Sequence, residues 1–265
     1  MPDTILFDVT DGLAWITLNR PYAKNAIDDE MREALIAAIA RVGSDETIRA
    51  AVLTAAGDMF CPGADLWSGR KEGQQDAPHP GRTRALMRQN SQRMIRMVLE
   101  TEKPIVAAVN GTAAGMGAHL ALACDLVLMA EEARLIEVFA RRGIAVDAGG
   151  AYLLSRLLPI HRAKELVFFA DDVSAADALR LGLCNRVVPR ADLETAAREW
   201  GERLAKGPTF ALGLSKRLLE RAYRSDLETC FEEEAMAQSL VTQSEDTREG
   251  MRAFAERRKP AFKGR

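Results

Sequence analysis

Apolar positions along this 265-residue chain follow two rhythms: short runs that suit strands, and three-to-four spacing that suits helices. Residues 5–9 and 14–18 are strand-like runs separated by Thr10-Asp11-Gly12, and Asp-Gly between two such runs predicts a tight hairpin. From Asp28, a good N-cap, Met31, Leu35, Ile36, Ile39 and Val42 keep helical spacing as far as Gly43. Residues 50–54 read as a strand, 83–100 as a helix, and 126–129 as a further strand. Between 144 and 158 the chain passes from loop to helix through Asp147-Ala148-Gly149-Gly150. Beyond Ile160, amphipathic spacing predicts helices at 161–169, 174–181, 190–206, 208–223 and 226–256, with Gly207-Pro208 as a break. Strands interleaved with helices, then a helical end, predict an α/β fold without a clear sequence repeat.

The stretch from Pro104 to Asp125 stands out. The apolar run Ile105-Val106-Ala107-Ala108-Val109 opens into Asn110-Gly111-Thr112-Ala113-Ala114-Gly115-Met116-Gly117-Ala118-His119. A buried strand feeds a glycine-rich turn that becomes a helix, and a helix start leaves backbone N–H groups unpaired and able to hold a developing negative charge. The segment is therefore a candidate oxyanion site. Residues 104–124 carry no fixed charge over a bilayer-crossing length, but Asn110, Thr112, three glycines and His119 interrupt them, so they read as a buried strand and helix rather than a membrane span.

Composition narrows the function classes. With 48% hydrophobic residues the chain can bury a single large core, and 36 Lys plus Arg against 38 Asp plus Glu leave a net charge of −2. No global field favours nucleic acid or an anionic membrane, so an anionic ligand must be met by a local patch. Cys61, Cys124, Cys184 and Cys230 and the three histidines lack zinc-ligand spacing, and scattered thiols at this length suit small buried hydrophobes in a reducing compartment. The first residues show no signal-peptide pattern, so a cytoplasmic location is expected. The polar stretch 68–81 is either a mobile lid or a plain connection.

Several motifs fail on inspection. Gly115-Met116-Gly117-Ala118-His119-Leu120 begins like a dinucleotide fingerprint, but Leu120 holds the third glycine's place; no Lys-Ser/Thr follows for a phosphate loop. Ser155 and Ser215 lack a Gly-x-Ser-x-Gly setting.

Two loops remain, Phe60-Cys61-Pro62-Gly63-Ala64-Asp65-Leu66 and the glycine-rich turn, and together they resemble the two oxyanion-hole loops of the crotonase superfamily, the enoyl-CoA hydratase/isomerase family. Asn19-Arg20-Pro21 with Lys24-Asn25-Ala26, Lys103 to Gly111, Ala123-Cys124-Asp125, Ala176 to Gly182, and Gly250 to Phe262 match the family in order and spacing. The resemblance covers essentially the whole chain. It implies a spiral of ββα units over residues 1–200 carrying a CoA-thioester site, and a helical C-terminal region, 201–265, that forms homotrimers, often paired into hexamers. It also implies an acyl-CoA thioester substrate, no metal, and no cofactor beyond the CoA of the substrate itself.

By position, the backbone N–H groups of Ala64 and Met116 would hold the thioester oxygen, each worth about 3 kcal/mol as enolate charge develops. Lys24, Ala26, Asp65 and Leu66 match CoA-binding loops, while Phe254 and Lys259 match a C-terminal helix that reaches a CoA site. A surface lysine such as Lys24 or Lys259 is more often simply solvated, and Asp65 and Asp125 are equally readable as turn or cap residues, the reading favoured for Asp125.

The acid/base positions depart from the hydratases. Those enzymes use two glutamates; here the matching positions are His119 and Phe139. Asp147 matches an aspartate that several isomerases and dehalogenases use, and its other reading is an N-cap for the following helix. His119 is either an acid/base group or a satisfied core residue, and Glu137, two residues before Phe139, is a third candidate. The favoured reaction is a proton shift α to the thioester, such as double-bond isomerisation, ahead of 2-enoyl-CoA hydration and of thioester or carbon–carbon cleavage. An acyl-CoA-binding protein without catalysis is the alternative of a different class.

Overall fold

The computed structural model describes residues 3–65 and 80–265; Leu66, and with it most of the polar stretch, lies outside the described residues. The opening hairpin forms where Asp-Gly predicts it. Strand β1 (Ile5–Thr10) runs antiparallel to β2 (Leu13–Leu18), and Asp11 and Gly12 both take positive φ, 51° and 80°, as a tight reversal of two twisted strands requires. Asp28 then caps α1 (Asp29–Ser44), its Oδ1 accepting the Met31 N–H at 2.8 Å, and the predicted stripe of Met31, Leu35, Ile36, Ile39 and Val42 is buried.

From there the chain repeats one unit. Strands β3 (Ala50–Ala55) and β4 (Met59–Cys61) precede α2 (Pro80–Gln89) and α3 (Ser91–Glu100); β5 (Ile105–Val109) and β6 (Thr112–Ala114) precede α4 (Met116–Leu122). Next come β7 (Leu126–Ala130), β8 (Arg134–Ile136), α5 (Gly150–Leu157) and α6 (Ile160–Phe169), and then β9 (Asp172–Ser174), α7 (Ala175–Leu181) and β10 (Arg186–Val188). One strand of each unit enters a six-stranded sheet ordered β1-β2-β3-β5-β7-β10, and the other a four-stranded sheet ordered β4-β6-β8-β9. Apart from the first hairpin and the β8/β9 pair, neighbouring strands are parallel. This is the expected spiral of ββα units.

Where structure and expectation differ, the reasons are local. Strands β4, β6, β8, β9 and β10 have three residues each, too few to display a period. The helix expected over 83–100 is two helices broken at Asn90, whose φ of −103° and ψ of −96° are not helical. The helix expected over 226–256 is also two, α10 (Leu227–Val241) and α11 (Glu245–Ala255), because Ser244 starts a new helix by accepting the Thr247 N–H at 3.0 Å. Asp147 does not cap α5: Gly149, at φ 80°, precedes that helix and no side chain caps it.

Helix α8 (Leu193–Ala205) packs across β3, β5 and β7, so a division after residue 200 falls within a helix of the sheet layer. Helices α9 (Thr209–Ala222), α10 and α11 follow, and leave Leu219, Leu227, Phe231, Met236, Leu240 and Phe254 exposed. The last residues are strapped down. Asp246 accepts the backbone N–H groups of Lys263 and Gly264 at 2.6 and 2.8 Å, and the Arg49 guanidinium donates to the Phe262 carbonyl at 3.0 Å. Among the described residues no helix is long and apolar enough to cross a membrane.

Candidate active site

Strands β4 and β6 are parallel neighbours, pairing Met59 with Thr112 and Cys61 with Ala113 across a bulge. Both end at the same edge of the small sheet, where loops after parallel strands commonly form ligand sites. The chain leaves β4 through Pro62-Gly63-Ala64 and leaves β6 through Gly115-Met116. Ile27 bridges the first loop: its N–H donates to the Gly63 carbonyl at 2.9 Å and its carbonyl accepts the Asp65 N–H at 2.9 Å, which passes over the N–H of Ala64. In α4 the first internal bond runs from the His119 N–H to the Gly115 carbonyl, so the Met116 N–H lies ahead of the ladder. A Cβ built on Gly63 would stand 3.5 Å from Met116 N. The two loops are thus in contact, each presenting a main-chain donor beside one cleft.

Two polar residues to which the sequence reading gave no separate role fasten these loops. The Arg20 guanidinium, mostly buried, reaches the Ala26 carbonyl, Asp28 at 3.0 Å and Asp65 at 3.2 Å. Asn25, fully buried and at φ 61°, accepts the Arg20 N–H at 2.9 Å and donates to the carbonyls of Ala56 and Met59, each at 2.8 Å. Both residues stand inside the Asn19-Arg20-Pro21 and Lys24-Asn25-Ala26 motifs, which is the signal the sequence carried.

The cleft has a volume of about 500 Å³ and is lined by Ala64, Gly115, Met116, Val138, Phe139, Ile144 and Asp147, among others. Four carboxylates reach it. Asp28 and Asp65 pair with Arg20, and Asp29 with Arg32 at 2.7 Å; Asp147 has no ion pair or hydrogen bond to its carboxylate among the described residues. Burial pushes the half-buried Asp147 carboxyl above the usual range, a push that neighbouring His119 opposes and neighbouring Glu137 adds to. A larger cavity of about 740 Å³ opens between α3, α5 and α9, among Arg96, Tyr152, Lys216 and Glu220, and none of the candidate residues lines it.

His119 and Glu137 sit behind the cleft wall. His119 is 0% exposed and Glu137 5%, and His119 Nε2 lies 3.2 and 3.0 Å from the two Glu137 oxygens. The imidazole stacks on Phe139, with ring centroids 5.4 Å apart and planes 11° apart. The three acid/base candidates are therefore neighbours, but only Asp147 faces the cleft.

The family model described as Enoyl-CoA hydratase/isomerase matches residues 8–265. The chain belongs to the enoyl-CoA hydratase/isomerase family. It is an enzyme of that family, whose members act on acyl-CoA. It is 38% identical over 262 residues to the "Probable enoyl-CoA hydratase" of Rhodobacter capsulatus, covering 99% of this chain and 98% of that protein. It is 36% identical over 265 residues to the 1,2-epoxyphenylacetyl-CoA isomerase of Escherichia coli, over the full length of both. The crystal structure of an enoyl-CoA hydratase/isomerase from Cupriavidus metallidurans superimposes with a TM-score of 0.91 at 35% identity, covering 99% of this chain and 97% of that one.

For this hydratase/isomerase family member, the remaining candidates separate by location. Ala64, Met116 and Asp65 line the cleft, the Asp65 carboxylate being held by Arg20. Ala26 lies in the loop that Arg20 ties to Asp65, beside Lys24, which is exposed at φ 55°. Leu66 is outside the described residues. Phe254 and Lys259 are exposed near the C-terminus and do not line the cleft of their own chain. Asp125 is structural, as favoured: it accepts the Ile105 N–H at 2.7 Å and pairs with Lys216 at 3.0 Å.

Proposed function

We propose that this enzyme moves a proton α to the thioester carbonyl of an acyl-CoA, isomerising a double bond. Asp147 removes the proton and returns it at another carbon, while the N–H groups of Ala64 and Met116 stabilise the enolate oxygen. The observation that supports this reading above others is the contrast among the cleft carboxylates: three are tied up by arginine and Asp147 is not. A desolvated carboxylate with raised proton affinity suits a group that must take a proton and then give it back. The CoA portion would follow the Lys24, Ala26, Asp65 and Leu66 loops, with Phe254 and Lys259 supplied by a neighbouring subunit of a trimer or hexamer. No cofactor beyond CoA is part of the proposal.

Hydration of a 2-enoyl thioester is the second reading, favoured by the hydratase name of the Rhodobacter relative. It needs two polar groups around one water, whereas Phe139 occupies the second position and Glu137 is turned onto His119. A panel of 2-enoyl, 3-enoyl and aromatic acyl-CoA thioesters, followed by absorbance and mass in heavy water, tests the proposal. Isomerisation gives a change of conjugation with no gain of water, and deuterium at carbon to the extent that the Asp147 proton exchanges with solvent before its return. Gain of water would establish hydration instead, and release of free CoA would establish cleavage.

A further inference from the structure

We propose that the buried His119–Glu137 pair is a positioning device for Asp147: from behind the cleft wall it seats the turn that carries the carboxylate. The inference rests on the reading of Asp147 as the proton-transfer group. Neither His119 nor Glu137 lines the cleft, so their effect on the reaction must travel through the residues they touch.

Packing gives the first argument. Gly150 lies against the imidazole so closely that a Cβ there would be 2.1 Å from His119 Cε1 and 2.3 Å from Nε2. The Gly150 N–H donates to the Asp147 carbonyl at 2.8 Å and closes the turn. Within it Ala148 has φ 44° and Gly149 φ 80°, and a non-glycine residue in the left-handed region persists only where its surroundings enforce it. The imidazole fills the space that any side chain at 150 would take, so the Asp147 turn rests against the Cε1–Nε2 side of His119. Glu137 fixes the ring edge-on through both carboxylate oxygens, and Phe139 fixes its face.

Charge gives the second. A charge this deeply buried is costly unless paired, so each partner depends on the other. The other charged groups lining the cleft are Asp28, Asp29, Arg32, Asp65 and Arg142, and on the far side α3 carries Arg93, Arg96 and Glu100 and α5 carries Arg156. Of all these groups, His119 and Glu137 are the ones that act on the Asp147 carboxyl, one against the push of burial and one with it. Losing either partner leaves the other buried and alone, so Asp147 faces the pair as a unit.

The experiment compares Glu137→Gln with His119→Gln in the full-length enzyme. Either loss undoes the pair and its hold on the turn, so each variant should shift the acid limb of kcat/KM by roughly one unit. The Asp147 carboxyl is titrated in parallel by carbon NMR, assigned by its disappearance in Asp147→Asn, which reads the coupling without turnover. Limbs and NMR titrations that stay put in both variants would overturn the inference. If Asp147→Asn keeps full activity while the NMR titrations move, the pair still controls Asp147 and it is the base assignment that fails. Should His119→Gln not fold, Glu137→Gln alone decides, since a merely structural residue would leave the limb where it was.

Discussion

Gly117 stands over the carbonyl oxygen of Cys61: a Cβ built on it would lie 2.1 Å from that oxygen. The helix that begins with Met116 is thereby set directly on the strand that leads to Ala64. Both atoms in the clash are held by main chain, which has little room to yield. Gly117→Ala should therefore part α4 from β4, lowering stability by about 2–3 kcal/mol and turnover at least tenfold. Urea unfolding and steady-state kinetics measure the two effects. A destabilised variant with unchanged turnover would mean that this contact does not set the spacing of the two donors.

Asp147→Asn should lower kcat by about 10²- to 10⁴-fold, the range for losing a proton-transfer group. It should not lower the melting temperature at neutral pH. The folded enzyme holds this carboxyl above its ordinary range, so the stability associated with it is greatest at low pH and is lost as pH rises through the folded value. An amide carries no charge to desolvate, so the variant should be at least as stable as the parent at pH 7 by calorimetry.

Arg20 joins the loop of Ala26 to the loop of Ala64 through Asp28 and Asp65. Arg20→Ala leaves two largely buried carboxylates without their partner, which should lower stability by roughly 3 kcal/mol. Because the loops also lie along the proposed CoA path, KM for an acyl-CoA should rise more than kcat falls. Equal losses in the two parameters would argue against that path.

Much of the framework was legible because its determinants are local. Asp11-Gly12 dictates its own turn and Asp28 its own cap, so hairpin and first helix follow from neighbouring residues. The five three-residue strands were not, since their pairing comes from the neighbouring unit of the spiral and not from any pattern of their own. The site divides in the same way. Ala64 and Met116 could be placed by motif, but His119 and Glu137, eighteen positions apart, become a pair only when β6 and β8 lie side by side. Whether Asp147 caps a helix or faces a cleft turned on the φ of Gly149, which no composition reveals.

The Glu249 carboxylate is held well below its usual range by hydrogen bonds from Arg258 and Arg252 and from the Ala261 N–H. Stability from these contacts is present above the ordinary glutamate pKa of 4.5 and is lost as pH falls toward the folded value. The C-terminal tail should become sensitive to an acid-tolerant protease at a pH below that of neutral storage, while Glu249→Gln should be cleaved at neutral pH already. Equal cleavage of both proteins at every pH would show that Glu249 does not hold the tail.

Leu227, Phe231, Met236 and Leu240 on α10, with Phe254 on α11, are large apolar side chains left exposed on the C-terminal helices, the kind of surface that a subunit contact would cover. Light scattering on the purified chain should give the mass of a trimer or a hexamer. Phe231→Glu with Leu240→Glu should shift the mass toward the monomer, and a parent chain that is already monomeric would refute the assembly.

Both donors of the proposed oxyanion site are main-chain groups at the ends of two paired strands, so their geometry is a property of the sheet and not of any side chain. Any substitution but proline at 64 or 116 leaves an N–H in place, whereas substitution at 139 or 147 rewrites the wall around it and substitution at 119 or 137 changes what stands behind that wall. A scaffold of this kind separates grip from chemistry: the thioester can go on being held while the proton-handling groups are exchanged, and new reactions can be tried without first losing the substrate.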